Sequence, residues 1–343
     1  MQTDAPGEIP APTPSPDHRA ARPARSRRTT RPGGGPSLLA PGAARDPYRL
    51  YRMLREEHPL SYDAPLGAWL ISRYDDVVTA LTGPEFTGFP HDGAPRGGPA
   101  PLGLCHGSTR CLPRDRYTVV TGFVPRRLAE RVERTAYVLA RRIAGRRQAD
   151  LVEEFCHWLP AGTGPFRSPL RTGDGAPADE GPCTRHTGLR ETALASFLAN
   201  LLDDPDLLAA LRVEPTLAGR AWTESMRRDP PVQVVLRRTL TEVTLSGGTL
   251  PARAPVACLI GSAGRDPERF AAPDVFDPFR RDQADATTGP AGCPAVVLGR
   301  LEAEQGLRAL LDAMPRLRWA DGFRPAATGL LTRGPRSLLV RPG

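Results

Sequence analysis

The stretch GPAGCPAVVLGRLEAEQGLRALL, residues 289–311, carries one cysteine at the foot of a run with helical spacing. Val297, Leu298 and Leu301, then Leu307, Leu310, Leu311 and Met314, recur at steps of three and four residues, which places them on one face of an amphipathic helix. Gly289, Pro290 and Gly292 interrupt regular structure just before it. Cys293 therefore falls at or near the helix start, where unpaired backbone N–H groups and the helix dipole favour negative charge. Such a setting favours the thiolate over the thiol. A lone cysteine is more often a small buried hydrophobe. Held as a thiolate it can act as nucleophile, redox centre or metal ligand, and spacing alone leaves all three open.

Working outward, 343 residues that are 40% hydrophobic and 24% charged can bury a sizeable core, as one large domain or two. No apolar run is long enough to span a membrane, and the N-terminus lacks the apolar core of a signal peptide, so the expectation is a cytoplasmic protein with no membrane partner. Six cysteines (Cys105, Cys111, Cys156, Cys183, Cys258, Cys293) are scattered without C-x-x-C spacing, which indicates neither a disulfide framework nor a zinc site. The net charge of +8 invites a nucleic-acid reading, but its source argues against one. Every basic side chain apart from histidine is arginine, with no lysine, and 39 prolines and 34 glycines accompany them, the mark of a GC-rich coding bias more than of selection for phosphate contacts. No recognition motif or aromatic interleaving points to a specific nucleic-acid partner. Arg19, Arg22, Arg25, Arg27, Arg28 and Arg31 cluster among Pro, Ser and Gly, so residues 1–36 read as a disordered tail and 37–343 as the folded domain.

Along that domain, Asp46 and Pro47 open a helix whose apolar face is Leu50, Met53 and Leu54. AWLISR reads as a strand, and Asp75 or Asp76 opens another helix. Residues 83–113, rich in Gly and Pro, read as a long loop. PRRLAERVERTAYVLARRIAG is a helix with Leu128, Val132, Ala136 and Leu139 inward, residues 160–187 are irregular, and LRETALASFLANLLDDPDLLAALR is strongly helical. Short β segments come next at VVLRRTLTEVTLSGG and APVACLIGSA, and a hairpin-like pair around Gly334 and Pro335 closes the chain. The fold class is mainly α with small β-sheets.

From about residue 46 onward this order, with the motifs inside it, resembles the cytochrome P450 family of haem-thiolate monooxygenases. Cys293, Ala295, Leu298, Arg300, Leu301 and Glu302 fall without a gap on the family pattern C-x-G/A-x-x-L-x-R-L-E. Glu224 and Arg227 in TESMRRDPPV match its E-x-x-R and the D-P-P that trails it. GRDPERFAAPDVFDPFR, residues 264–280, is similar to the meander before the haem loop, and GLRET ends in the acid–threonine pair Glu191 and Thr192. The resemblance implies haem, with Cys293 as the axial iron ligand, because a thiolate pushes electron density towards O–O cleavage. It implies that Glu224 and Arg227, three apart on one helix face, form a structural ion network with Arg280 or Arg269 as third member. Glu191 and Thr192 would be catalytic, Thr192 bonding a helix carbonyl and helping deliver protons. Arg116, Arg238 and Gly289 would hold the cofactor, the arginines through haem propionates.

The departures matter as well. Against the family loop F-G-x-G-x-H/R-x-C the chain reads ATTGPAGC, with Ala286 for Phe, Thr287 for Gly and Ala291 for the basic residue, while Gly289 remains. Leu112 stands where the H-x-x-x-R histidine is expected, with Arg116 kept. Too few residues precede the central helix to hold both helices that roof the family's substrate pocket, so part of that roof is expected to be missing. Two functions are compatible with this. One is a monooxygenase oxidising a small or carrier-bound metabolite in bacterial secondary metabolism, with a ferredoxin-type electron donor. The other is a catalytically degenerate auxiliary that activates a glycosyltransferase partner.

Overall fold

The computed structural model describes residues 35–88, 126–163, 187–282 and 294–343. The chain runs α1 (Tyr48–Glu57), β1 (Leu60–Asp63), β2 (Ala68–Ile71), α2 (Tyr74–Thr82), β3 (Phe86–Gly88), α3 (Arg126–Ala144) and β4 (Ala149–Asp150). After a π-helical turn at Val152–Cys156 come α4 (Trp158–Thr163), α5 (Thr187–Leu202), α6 (Pro205–Val213) and α7 (Ala218–Arg228). Next are β5 (Val234–Thr239), β6 (Val243–Leu245), β7 (Gly248–Leu250), β8 (Pro255–Leu259), α8 (Ile260–Ala263) and α9 (Pro294–Ala313). The end of the chain holds β9 (Arg318–Trp319), β10 (Ala327–Thr328), β11 (Gly334–Pro335) and β12 (Leu339–Arg341).

The largest core lies among α3, α5, α7 and α9, where Val132, Ala136, Leu139, Phe155, Phe197, Leu201, Leu307 and Leu310 are buried together. These are the positions that three- and four-residue spacing puts on one face of each helix. A five-stranded sheet ordered β1-β2-β8-β5-β3 forms the second layer. Its β2–β8 pair is parallel and the others antiparallel, so residues 69–71 lie beside 256–258. Such a sheet, buried beneath α1 and α2, tolerates the near-continuous apolar run PVACL of β8.

Five local expectations are corrected. The helix expected from Leu189 onward breaks between α5 and α6, because extended Asp204 accepts the Leu207 N–H at 2.9 Å as a cap and Pro205 begins the next helix without an N–H to donate. On α1 the buried face is Tyr51, Leu54 and Arg55, with Leu50 and Met53 only half-buried. Within the stretch read as a loop, Phe86–Gly88 pairs with Arg237–Thr239 as the sheet's edge, while residues 89–125 lie outside the described residues. Gly334 and Pro335 are not a hairpin turn. They form β11, paired with β10, and a Cβ placed on Gly334 would collide with the Thr192 side chain of α5 and approach Ser196 Oγ to 3.3 Å. The absent side chain is what lets this strand lie on α5. Of the irregular stretch 160–187, α4 occupies the first residues and α5 starts at Thr187, with 164–186 outside the described residues.

Candidate active site

Helix α5 divides its residues between two surroundings. Ala193, Leu194, Phe197 and Leu198 are buried in the helical core, whereas Glu191 and Thr192 face a cavity of about 920 Å³. Thr192 Oγ1 donates to the Gly188 carbonyl at 2.8 Å, one turn back, which occupies the hydroxyl proton locally. Glu191 Oε2 lies 3.0 Å from His157 Nδ1. The far wall of the cavity is the strand and turn Thr328–Arg336, which includes Leu330, Leu331 and Thr332. Arg333 pins that wall, donating to the carbonyls of Ala44 at 2.9 Å and Arg45 at 2.7 Å.

His157 reaches Glu191 because of the π-turn. The backbone N–H of His157 bonds the Val152 carbonyl, five residues back, at 2.9 Å. One extra residue in the turn rotates the succeeding side chains around the helix axis, and such turns gather at functional sites. Trp158, half-exposed, stands edge-on to the imidazole with ring centres 5.1 Å apart. Spacing alone gave no sign of His157, since a π-turn has no composition of its own.

Behind the cavity, Arg190 forms a buried ion pair with Glu302 of α9 and donates to the Pro160 carbonyl at 3.3 Å. It thereby ties α5 to α9 and α4. The family pattern picks out Glu302 but not this partner, 112 residues away.

Glu224, Arg227 and Arg280 meet in a second, fully enclosed cluster. Arg227 donates from Nε and Nη2 to the two Glu224 oxygens, each at 2.7 Å, the forked geometry that suits a carboxylate. Arg280 Nε adds a third bond at 3.0 Å, and the Asp277 N–H a fourth at 3.0 Å. Arg227 also donates to the carbonyls of Gly264 at 2.6 Å and Pro273 at 2.8 Å, so the α7 pair grips the meander. Arg280, not Arg269, is thus the third member; Arg269 lies over the rings of Tyr74 and Phe270.

Of the remaining candidates, one lies among the described residues. Arg238 is half-buried on β5, opposite Thr87 and Pro255, and is not among the residues lining the cavity. Cys293, Gly289 and Arg116 lie outside the described residues, as do Leu112, Ala286, Thr287 and Ala291. Helix α9 begins at Pro294, the residue after Cys293. Among the described residues, Cys156 and Cys258 are buried and free. Burial pushes both thiols up, Cys258 to about 12, so at neutral pH neither supplies a thiolate. No group of three or more His, Cys, Asp or Glu able to hold a metal occurs among the described residues, and no described helix is long and apolar enough to cross a membrane.

A helical body, a mixed sheet, a buried α7 ion pair joined by Arg280 that clamps a meander, and an acid–threonine pair on a central helix define the class: a P450-type fold. The comparisons agree. The Cytochrome P450 family profile matches residues 216–291. Protein DesVIII of Streptomyces venezuelae is 30% identical over 355 residues, covering 87% of this chain and 86% of that protein. Cytochrome P450 107B1 of Saccharopolyspora erythraea is 30% identical over 409 positions, covering 91% of this chain and 99% of that protein. That alignment is longer than the 343 residues available here, so the relative carries segments this chain lacks. Pulcherriminic acid synthase of Bacillus subtilis is 33% identical over a shorter span, 44% of this chain and 40% of that protein. Among solved structures, substrate-free CYP109E1 of Bacillus megaterium superposes with a TM-score of 0.74 at 19% identity, covering 87% of this chain and 99% of that one. The chain belongs to the cytochrome P450 family, whose members bind haem.

Of the residues that the resemblance assigns to holding that group, Arg238 alone lies among the described residues. A Cβ built on Gly188, one turn before Thr192, meets nothing within 4 Å among the described residues.

Proposed function

We propose that the chain is a haem-thiolate monooxygenase that oxidises a small or carrier-bound metabolite of bacterial secondary metabolism in the cytoplasm, with electrons from a ferredoxin-type partner. The observation that carries this is the placement of Glu191 and Thr192 on a cavity of about 920 Å³, large enough for a metabolite. In this reading Cys293 would supply the thiolate that holds the iron, and Arg238 and Arg116 would meet the haem carboxylates, a pairing that suits a guanidinium. Bound haem supplies oxygen activation, made possible by the thiolate. Glu191 and Thr192 hold and pass the protons that this chemistry consumes. The wall Thr328–Arg336, fixed by Arg333, orients the substrate against α5.

The test is direct. Reduced protein reconstituted with haem should show, with carbon monoxide, the red-shifted Soret band of thiolate ligation, and Cys293→Ala should abolish it. Protein that stays colourless after reconstitution would overturn the reading. Ala286, Thr287 and Ala291, at loop positions where the family carries Phe, Gly and a basic residue, favour a second reading, the glycosyltransferase auxiliary. It predicts colourless protein that raises a partner glycosyltransferase's activity as well with Cys293→Ala as without it.

A further inference from the structure

Resting on the monooxygenase reading, we propose that His157 is the solvent-side proton donor to Glu191, extending the acid–threonine pair to a third residue. The geometry is specific. His157 Nδ1 and Glu191 Oε2 are 3.0 Å apart, with the histidine side chain 54% exposed and the glutamate 27% exposed. One end of the imidazole therefore meets the carboxylate while the ring keeps access to water. The π-turn makes this contact. Each α-helical residue turns the chain by about 100°, so removing the extra residue would carry His157 away from α5.

The charges around the pair leave this route distinct. Glu153 faces the cavity from the π-turn, and Arg333 and Arg336 from the opposite wall. Arg333 is committed to the carbonyls of Ala44 and Arg45. On the buried side lies the Cys156 thiol, held protonated by burial and by the nearby Glu191 charge. Neither Glu153 nor Arg336 is bonded to Glu191, whereas His157 is.

The step balances as a simple shuttle. The doubly protonated imidazole passes its Nδ1 proton to Glu191 Oε2, leaving neutral histidine and a neutral carboxyl group. Glu191 gives that proton up to the reacting oxygen and returns to the carboxylate. The half-exposed ring turns over, presents its free nitrogen to water and takes up a hydronium proton. One proton moves from solvent to the cavity per cycle, and both side chains return to their starting charge.

Two measurements on the full chain test it. In protein without haem, selectively nitrogen-15-labelled at histidine, the Nδ1 resonance of His157 should move on Glu191→Gln and stay in place on Glu153→Gln. In haem-reconstituted protein, His157→Phe and His157→Gln should each lower the product formed per oxygen consumed by about tenfold or more, with haem content unchanged. Glutamine keeps an N–H for Glu191 yet passes no proton, so its failure to restore coupling separates a shuttle from a mere positioning role. An unmoved resonance, wild-type coupling in either variant, or rescue by glutamine would overturn the proposal. Wild-type protein that binds haem and forms no product would sink the monooxygenase reading first, and this inference with it, without any variant being made.

Discussion

Glu224 and Glu191 are both helix carboxylates met by a basic side chain, yet they sit in opposite circumstances. Glu224 is wholly buried, accepts from Arg227, Arg280 and the Asp277 N–H, and has no access to water. Glu191 is 27% exposed, faces a cavity and has a single histidine partner. Enclosure makes the first pair a structural clamp, since a buried charge that loses its partner is stranded at high cost. Exposure makes the second cheap to break. The same chemistry serves the fold in one place and is available to a reaction in the other.

The largest expected effect tests the buried half. Glu224→Ala leaves two buried guanidinium groups and should cost about 3–5 kcal/mol, enough to lose most soluble protein. A urea midpoint equal to wild type would break the comparison at its root. Next is the contact between the cavity wall and α5. Gly334→Ala forces a methyl group into the Thr192 side chain and should cost about 1–3 kcal/mol, with Thr192→Ala in the same chain restoring much of it. Melting temperatures of the two variants and the double variant decide this.

Asp229 supplies an intermediate case. Burial by itself raises its carboxyl, but the guanidinium groups of Arg228 and Arg265 outweigh that and hold it below the ordinary carboxylate range. With the folded-state pKa depressed, its stabilisation is complete above about pH 4, the unfolded value, and is lost as the pH falls through the folded value. Asp229→Asn should therefore flatten the acid limb of stability against pH, as read from denaturant midpoints. The smallest effect belongs to the exposed pair. Glu191→Gln should change stability by no more than about 1 kcal/mol while impairing product formation, and a larger loss of stability would move the pair into the structural class.

Much of this was legible in the residues. Periodicity placed Val132, Ala136 and Leu139, and likewise Phe197 and Leu198, on buried faces because one stripe per helix must face the core. A spacing of three put Glu224 and Arg227 on one face, where they meet. What was not legible depends on geometry that no local pattern encodes. The π-turn that aims His157 has an ordinary composition, and the Arg190–Glu302 pair joins residues 112 apart. Gly334 and Pro335 carry the composition of a turn but act as a strand, because what matters there is the closeness of Thr192 and not local propensity.

The parallel pairing of β2 with β8 also sets a schedule on the ribosome. Ala68–Ile71 cannot complete its place in the sheet until Pro255–Leu259 has been made, nearly two hundred residues later. At ~5–20 residues per second that is a wait of roughly 10–40 s. During it the apolar edge of β2 is exposed to any other unpaired strand. Slowing elongation between the codons for these two strands should raise the share of newly made chain that aggregates, while slowing it after residue 259 should not.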